Sequence, residues 1–406
     1  MKWEKVIFGE LFDSPSRNGI YIEQDKHGAG VKMVNMGEIF AYDFIGAQDM
    51  KRVELSLNEM STLLLREDDL LFARRSLVES GAGKSSIVQG LKEPTTFESS
   101  IIRVRLKSSL CCPLFYLYWL RSLAGKEAIG ALVTGTNVKG IRGSELKNIK
   151  VDYPPYAIQI RIANVLKEYD NLIENNQKQI KLLEEAAQRL YKEWFVDLRF
   201  PGHENTKITD GIPEGWTRCA LGDLIDFNPK VSLSKERKKQ SVPMSALSTS
   251  SMTLDMAEVY TTESNAGSKF QNGDTLLARI TPCLENGKTA FVAGIEAQEG
   301  AVGSTEFIVM RSRRLNPYMV YLLARTDDFR NSAINSMTGS DGRQRAQVDK
   351  LQALPHLEPP REIIDTFEKN IAPLFLQIRR KNEMNWHLRE ARDLLLPKLM
   401  SGKIEV

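Results

Sequence analysis

The sequence predicts an α+β protein with pseudo-two-fold symmetry. It would contain two tandem globular α+β domains, each followed by a long helix, with the two helices paired as an antiparallel coiled coil. Two observations lead to this prediction: an internal repeat spaced about 205 residues apart, and an apolar pattern of period seven that ends each copy. A helix of about 40 residues is roughly 60 Å long, so its apolar stripe needs a partner helix. The second copy supplies that partner.

The heptad pattern defines the expected pairing seam. In residues 158–199, apolar residues recur in alternating steps of four and three, and neither Gly nor Pro interrupts the run. The same pattern returns in residues 361–406. Asn176, Asn385 and Arg392 place polar groups on the seam, which usually sets the register at some cost in stability. The predicted seam residues are Leu166, Ile173, Ile180, Leu183, Leu190, Ile371, Ile378, Leu388 and Leu395.

The repeat extends through the globular parts and predicts the domain boundaries. Short apolar runs bounded by turn residues predict strands in each copy, with one or two short helices among them. A Pro-, Gly- and polar-rich stretch between the copies predicts a linker. The matched positions are Trp3 with Trp216, Gly9 with Gly222, Asp69 with Asp274, Arg74 with Arg279, Gly83 with Gly287 and Pro113 with Pro317. The predicted segments are a globular domain at 1–157, a long helix at 158–199, a linker at 200–215, a globular domain at 216–360 and a long helix at 361–406.

Composition narrows the classes of function. The formal net charge is only +3, so any nucleic-acid contact must rest on local basic clusters. The four cysteines form no Cys-x-x-Cys pair and the four histidines are scattered, which argues against a zinc site and favours reduced thiols in a cytoplasmic protein. No stretch reaches the roughly 18 apolar residues of a membrane span.

Two motifs resemble catalytic signatures but are incomplete. The stretch around Gly83-Lys84 resembles a phosphate-binding loop, but Val78 stands where that motif requires Gly. Asp152-Tyr-Pro-Pro-Tyr156 resembles an amino-methyltransferase motif, but Tyr153 replaces the Asn or Asp that precedes the two prolines. We therefore expect neither an ATPase nor a solitary methyltransferase. For Lys84 two interpretations stay open, a turn with a solvated Lys and a Lys presented to a DNA phosphate.

Basic and amide residues in loops are candidate DNA contacts, because Arg, Asn and Gln hydrogen-bond base edges while Lys and Arg bind phosphates. Ordinary solvated charges are the alternative for each of them. Arg103, Arg105 and Lys107 alternate along a predicted strand and would share one face. The strand and Pro positions repeat, whereas the loop residues differ, which predicts one scaffold with two loop sets. The candidates are Arg74, Arg75, Lys84, Asn137, Lys139 and Arg142 in the first copy and Arg279, Lys288, Arg343, Gln344 and Arg345 in the second.

Two globular units alternating with two heptad helices, each entered through Pro-Pro, resemble the DNA specificity subunit of type I restriction-modification systems. Three stretches carry the resemblance in detail: Glu193-Trp-Phe-Val-Asp-Leu-Arg-Phe-Pro-Gly-His203, Asp210-Gly-Ile-Pro-Glu-Gly-Trp216 and Leu394-Leu-Leu-Pro-Lys-Leu-Met-Ser-Gly-Lys-Ile404. They look like the central region, the start of the second domain and the C-terminal end of that family.

The resemblance implies a non-catalytic chain without its own cofactor or metal. Each globular domain would be a target recognition domain that reads one half of a bipartite, asymmetric site on double-stranded DNA. The helices would space the halves and dock two methyltransferase subunits, which carry S-adenosylmethionine and methylate adenine N6, and motor/nuclease subunits can join for restriction. The alternative is a coiled-coil scaffold that joins two protein partners without binding DNA.

Overall fold

The computed structural model describes residues 3–21, 27–77, 81–135, 138–234, 238–296, 300–340 and 342–405. The chain divides into two compact units. The first unit comprises Met1–Ile173 together with His387–Val406, and the second comprises Glu174–Trp386. Each unit therefore contains one globular α+β part and portions of both long helices.

The first unit is built around a five-stranded sheet covered by an apolar helix. Its described elements are β1 (Glu4–Ile7), β2 (Phe12–Asn18), β3 (His27–Val34), α1 (Met36–Ala41), β4 (Phe44–Ile45), β5 (Arg52–Val53), α2 (Leu57–Leu63), β6 (Leu70–Ala73), β7 (Arg75–Ser76), β8 (Ser85–Val88), β9 (Thr95–Phe97), β10 (Ile101–Leu106), α3 (Pro113–Arg121), α4 (Leu123–Gly130), β11 (Lys139–Gly140), α5 (Gly143–Leu146), β12 (Lys150–Tyr153) and α6 (Tyr156–Tyr191), which continues into the second unit. The main sheet has the order β2-β10-β6-β8-β4 and is antiparallel except for the parallel pair β4-β8, and β5-β3-β9 form a second sheet. Strand β1 pairs with β12, next to the start of α6.

Helix α3 supplies much of the first core because six consecutive side chains, from Phe115 to Leu120, are buried. Pro113 starts this helix, where a missing N–H costs nothing. Leu399 and Met400, from the end of the second long helix, are buried in the same core as Leu166. The C-terminal segment is therefore part of the first unit's core.

The second unit repeats this plan. Its described elements are β13 (Ile208–Thr209), β14 (Ile212–Pro213), β15 (Thr217–Ala220), α7 (Leu221–Leu224), β16 (Ile225–Phe227), β17 (Lys239–Val242), β18 (Tyr260–Thr262), β19 (Ser268–Phe270), β20 (Thr275–Ala278), β21 (Thr289–Phe291), β22 (Ala301–Gly303), β23 (Phe307–Ser312), α8 (Pro317–Ala324), α9 (Asp327–Asn335), α10 (Val348–Gln352), β24 (Pro355–Glu358) and α11 (Arg361–Met400). The order β16-β23-β20-β21 corresponds to β2-β10-β6-β8, and the pair β15-β24 corresponds to β1-β12. The predicted α+β class is confirmed.

A buried Asp–Arg pair recurs at the same place in both main sheets. Asp69 has no exposed side-chain surface, and its two carboxylate oxygens accept hydrogen bonds of 2.7 Å from Nε and Nη2 of Arg105. Asp274 binds Arg311 with the same two distances. Each Asp also accepts a backbone N–H at 2.8 Å, from Arg66 and Gln271 respectively. Bidentate pairs of this kind fix geometry as well as adding energy.

The long helices pair antiparallel, as the sequence predicted. In the first unit Arg392 Nη1 lies 2.5 Å from Asp170 Oδ1. In the second unit Asn176 Nδ2 donates to Asn385 Oδ1 at 3.0 Å. The contacts advance along α6 while they retreat along α11, and α11 remains helical through Pro373. None of the helices in the described residues is long and apolar enough to cross a membrane.

Burial along the seam is graded. Leu166, Ile173, Ile180, Ile371 and Ile378 are buried. The remaining predicted seam residues are half-buried: Leu183, Leu190, Leu388 and Leu395. The heptad pattern indicated Arg392 on the seam but gave no indication of its buried partner, Asp170.

Replacing Asp69 with Ala should destabilise the first unit by about 3–5 kcal/mol, because it leaves a largely buried guanidinium unpaired. Asp274→Ala should do the same in the second unit. Hydrogen exchange of backbone amides, followed unit by unit, measures each loss separately.

The matched control is Asp226→Ala, since the Asp226–Arg313 pair is exposed and 4.0 Å apart. It should cost less than about 1 kcal/mol. Equal effects of the exposed and the buried substitutions would contradict the assignment of a stabilising role to the buried pairs.

Candidate nucleic-acid interface

In the first unit, two distant segments form a short two-stranded ribbon that gathers four of the predicted basic residues. Strand β7 pairs antiparallel with β11, with Arg75 opposite Gly140 and Ser76 opposite Lys139. Ile141 N–H donates to Arg74 O at 3.1 Å, and Gly140 exchanges two backbone hydrogen bonds with Thr134. The structure therefore brings Arg74, Arg75, Lys139 and Arg142 to one place.

The approach of these strands depends on Gly140. A Cβ atom at this position would lie 2.9 Å from Arg74 O, closer than van der Waals contact. Gly135 has a φ of +111, a backbone conformation that favours glycine. Glycines in this basic stretch are therefore a requirement of the ribbon.

The second unit forms an equivalent ribbon. Ala346 N–H donates to Arg279 O at 2.8 Å and Thr281 N–H donates to Gln344 O at 3.1 Å. The bridge between Ile280 and Arg345 falls 205 residues after the pairing of Arg75 with Gly140. Arg279, Arg343, Gln344 and Arg345 are thus brought together in the second unit, as their counterparts are in the first.

The basic side chains of the ribbons differ in their exposure and in the contacts they make. Arg75, Arg142 and Arg343 are exposed, and none of them forms an ion pair with another described residue. Arg74 and Arg279 are half-buried and donate weakly to backbone carbonyls, at 3.4 Å to Ser99 O and 3.3 Å to Ala346 O. The three exposed guanidinium groups are the ones most available to a polyanion.

Arg345 positions the second ribbon. Its Nε and Nη2 atoms bind the Glu306 carboxylate at 2.9 and 2.7 Å. The hydrogen bond from Arg345 lowers the pKa of Glu306. Because the same guanidinium also reaches Arg343 O at 3.5 Å, we interpret Arg345 as a support for the loop that presents Arg343 and Gln344.

Lys84 and Lys288 serve the scaffold. Lys84 Nζ lies 2.5 Å from Phe40 O, and Lys288 Nζ lies 3.0 Å from Met244 O. Each Lys follows a glycine with positive φ, +79 at Gly83 and +75 at Gly287. Matching backbone contacts in both units favour the turn interpretation over a Lys presented to a phosphate.

The expected basic face of β10 is not present. Arg103 is 5% exposed, donates to Thr62 O at 3.2 Å and lies over the Phe97 ring at 5.8 Å. Burial lowers its pKa. Arg105 binds Asp69, and Lys107 reaches Glu10 O at 3.3 Å. Strand alternation could not show that Arg103 is buried or that Arg105 is paired with Asp69.

Asn137, the remaining candidate, lies outside the described residues. Within the described residues, no group of three or more His, Cys, Asp or Glu side chains could hold a metal ion.

Comparisons with known proteins agree with this architecture. Residues 1–185 match the family model for the type I restriction modification DNA specificity domain. Over 387 residues the chain is 24% identical to the type I restriction enzyme MjaIX specificity subunit of Methanocaldococcus jannaschii, covering 90% of this chain and 84% of that protein. It is 31% identical over 167 residues to the EcoEI specificity subunit of Escherichia coli, 39% of this chain and 28% of that protein.

The fold is also found in a solved structure. The S subunit of a type I restriction-modification system from M. genitalium superposes with a TM-score of 0.57 at 16% identity, covering 98% of this chain and 96% of that one. This likeness supports the fold, with its two α+β units and long helices.

Arg75→Ala and Arg343→Ala should each weaken DNA binding by the assembled complex without weakening assembly. If each guanidinium contacts a phosphate, the slope of log affinity against log salt should fall by about one per substitution. Binding titrations across a salt series measure both quantities.

Lys178→Ala is the matched control, because Lys178 is an exposed cation on α6 that pairs with Glu174 at 2.7 Å. It should leave affinity and slope unchanged. Unchanged binding in both Arg variants would remove these residues from the interface, and salt-independent association of the wild type would favour the scaffold alternative.

Proposed function

We propose that the whole chain is the DNA specificity subunit of a type I restriction-modification complex, because residues 1–185 match the family model for the type I restriction modification DNA specificity domain. It selects the site, and partner subunits perform methylation and cleavage. The target recognition domains are residues 1–157 and 216–360, joined by the linker at 200–215, with the long helices at 158–199 and 361–406.

The observation that best supports the proposal is that two equivalent ribbons present different side chains. The pairing of Arg75 with Gly140 corresponds to the pairing of Ile280 with Arg345. The scaffold is repeated while the exposed groups are not. Two copies of one scaffold with different contacts would read two different half-sites, which fits a bipartite, asymmetric target on double-stranded DNA.

The long helices are the proposed docking elements for two methyltransferase subunits. Apolar side chains remain exposed along both helices: Val165, Leu172 and Leu182 on α6, and Leu376, Met384, Trp386 and Leu394 on α11. Exposed apolar surface of this kind typically marks an interaction site. The methyltransferase subunits would carry S-adenosylmethionine and methylate adenine N6, and motor/nuclease subunits can join the complex for restriction.

The decisive experiment is co-expression of this chain with its methyltransferase subunit, followed by genome-wide mapping of methylated adenines. A two-part asymmetric motif should appear only when this chain is present. Omission of the chain and expression of the Arg75→Ala variant provide the comparisons. Methylation that is absent, or independent of this chain, would contradict the proposal.

The length of the helices should set the spacer between the half-sites. One heptad inserted into α6 between residues 173 and 174, and one into α11 between residues 386 and 387, keeps the seam in phase. It lengthens the helical connection by about 10 Å. The spacer should therefore grow by about three base pairs at 3.4 Å each.

A four-residue insertion at the same points is the control, because it shifts the seam out of phase and should abolish methylation. An unaltered spacer in the heptad variant would show that the helices do not set the distance.

A further inference from the structure

Two exposed apolar side chains adjoin the basic ribbon of the first unit. Leu77 is 84% exposed and Val138 is 49% exposed. Ser76 pairs with Lys139 in the antiparallel register of β7 and β11. Leu77 directly follows Ser76 and Val138 directly precedes Lys139, so the two residues are neighbours at the end of the described ribbon.

The pair lies beside an exposed guanidinium. Leu77 directly follows β7 and is two residues from the exposed Arg75. The residue opposite Arg75 is Gly140, which has no side chain to cover it. We call the surface formed by Arg75, Leu77, Val138 and Gly140 the ribbon face.

Single exposed apolar residues are common and need no special explanation. Leu57, on α2, is 86% exposed and is one such residue. The ribbon face differs because two exposed apolar side chains flank the ends of two paired strands, beside basic residues. The described segments 74–77 and 138–142 contain four basic residues and no acidic residue. A basic surface with two apolar side chains suits a ligand in which an apolar group is flanked by phosphates.

The 5-methyl group of thymine is such a group. It lies in the major groove, where apolar side chains contact it, and that groove admits a two-stranded β-ribbon. Lys and Arg beside the ribbon would meet the phosphates that border the groove. An apolar protein surface with an acidic rim is the alternative ligand for this charge, and the test below separates the two.

We propose that Leu77 and Val138 read a thymine in the first half-site through its 5-methyl group, next to the position contacted by Arg75. This inference rests on the proposed function. It adds a specificity determinant of stated chemistry, since the contact distinguishes thymine from a pyrimidine without the methyl group.

The second unit should lack this determinant. Positions 205 residues after Leu77 and Val138 carry Pro282 and Arg343. Arg343 is exposed and replaces an apolar contact by a hydrogen-bond donor suited to guanine or phosphate. Dependence on a thymine methyl group through the Leu77–Val138 pair should therefore be confined to one half-site.

The test uses the complex of the full chain with its methyltransferase subunits and a duplex carrying the mapped target. Each thymine is replaced singly by deoxyuridine, which removes the methyl group and keeps the base pairing. Wild-type affinity should fall about fourfold at one thymine of one half-site, the effect of burying one methyl group. The Leu77→Ala, Val138→Ala double variant should bind thymine and deoxyuridine equally at that position.

Two matched variants make the outcome decisive. Leu57→Ala removes an equally exposed leucine and should behave as the wild type. Leu77→Met keeps an apolar side chain and should retain the discrimination between thymine and deoxyuridine.

Several outcomes would overturn the inference. Site-specific binding that is insensitive to every deoxyuridine substitution, or sensitivity that survives in the double variant, would refute it and leave the proposed function standing. Loss of methyltransferase assembly in the double variant alone would identify the ribbon face as a protein interface. Absence of site-specific DNA binding by the wild-type complex would overturn the inference and the proposed function together.

Discussion

The carboxylate of Asp170 joins three parts of the chain that are far apart in sequence. It accepts a hydrogen bond of 2.6 Å from the Tyr118 hydroxyl of α3 and lies 2.5 Å from Arg392 Nη1 of α11. Burial raises the pKa of Tyr118, which keeps the hydroxyl protonated as a donor. The contact therefore ties the globular part of the first unit to both long helices at a single register of their seam.

The folding of the first unit depends on this tie. Its core includes Leu399 and Met400, and Trp3 Nε1 donates to Met400 O at 2.8 Å. A buried ion pair contributes little net stability but is costly to break on one side, so it penalises every alternative register. The second unit has a smaller polar layer of this kind, the buried pair Asn176 and Asn385.

The buried Asp–Arg pairs repeat in the two units, whereas the side chains of the ribbons differ. The Asp69–Arg105 and Asp274–Arg311 pairs are the same in both copies because they hold equivalent sheets together. The ribbons keep their backbone hydrogen bonds but exchange their side chains, with Gly140 in one where Arg345 stands in the other. A stable frame with interchangeable contacts is the arrangement a sequence-reading protein needs, because specificity can change without any change in the core.

Patterns within the sequence predicted the repeat, the heptad helices and their antiparallel pairing, because each rests on local periodicity. They also singled out Arg75 and Arg343, which the structure shows exposed. They failed for features that depend on the direction of a side chain or on which distant residues are paired. Alternation put Arg103 on a face without showing that the face is buried, and an Asp at position 170 reads as a solvated residue of a polar helix.

Leu77 and Val138 were missed for a related reason. They become neighbours only through the pairing of β7 with β11, about 60 residues apart in the chain, and no local pattern records that register. Lys84 and Lys288 recur beside glycine, and recurrence alone gave no indication of the backbone carbonyls that both lysines contact.

The central claim is that each unit reads its own half of one target site. Photo-crosslinking tests it most directly, with a photoreactive residue placed at position 75 or at position 343 in the assembled complex on the mapped duplex. Position 75 should crosslink to one half-site and position 343 to the other. Crosslinks from both positions to the same half-site, or spread evenly over flanking DNA, would contradict the account.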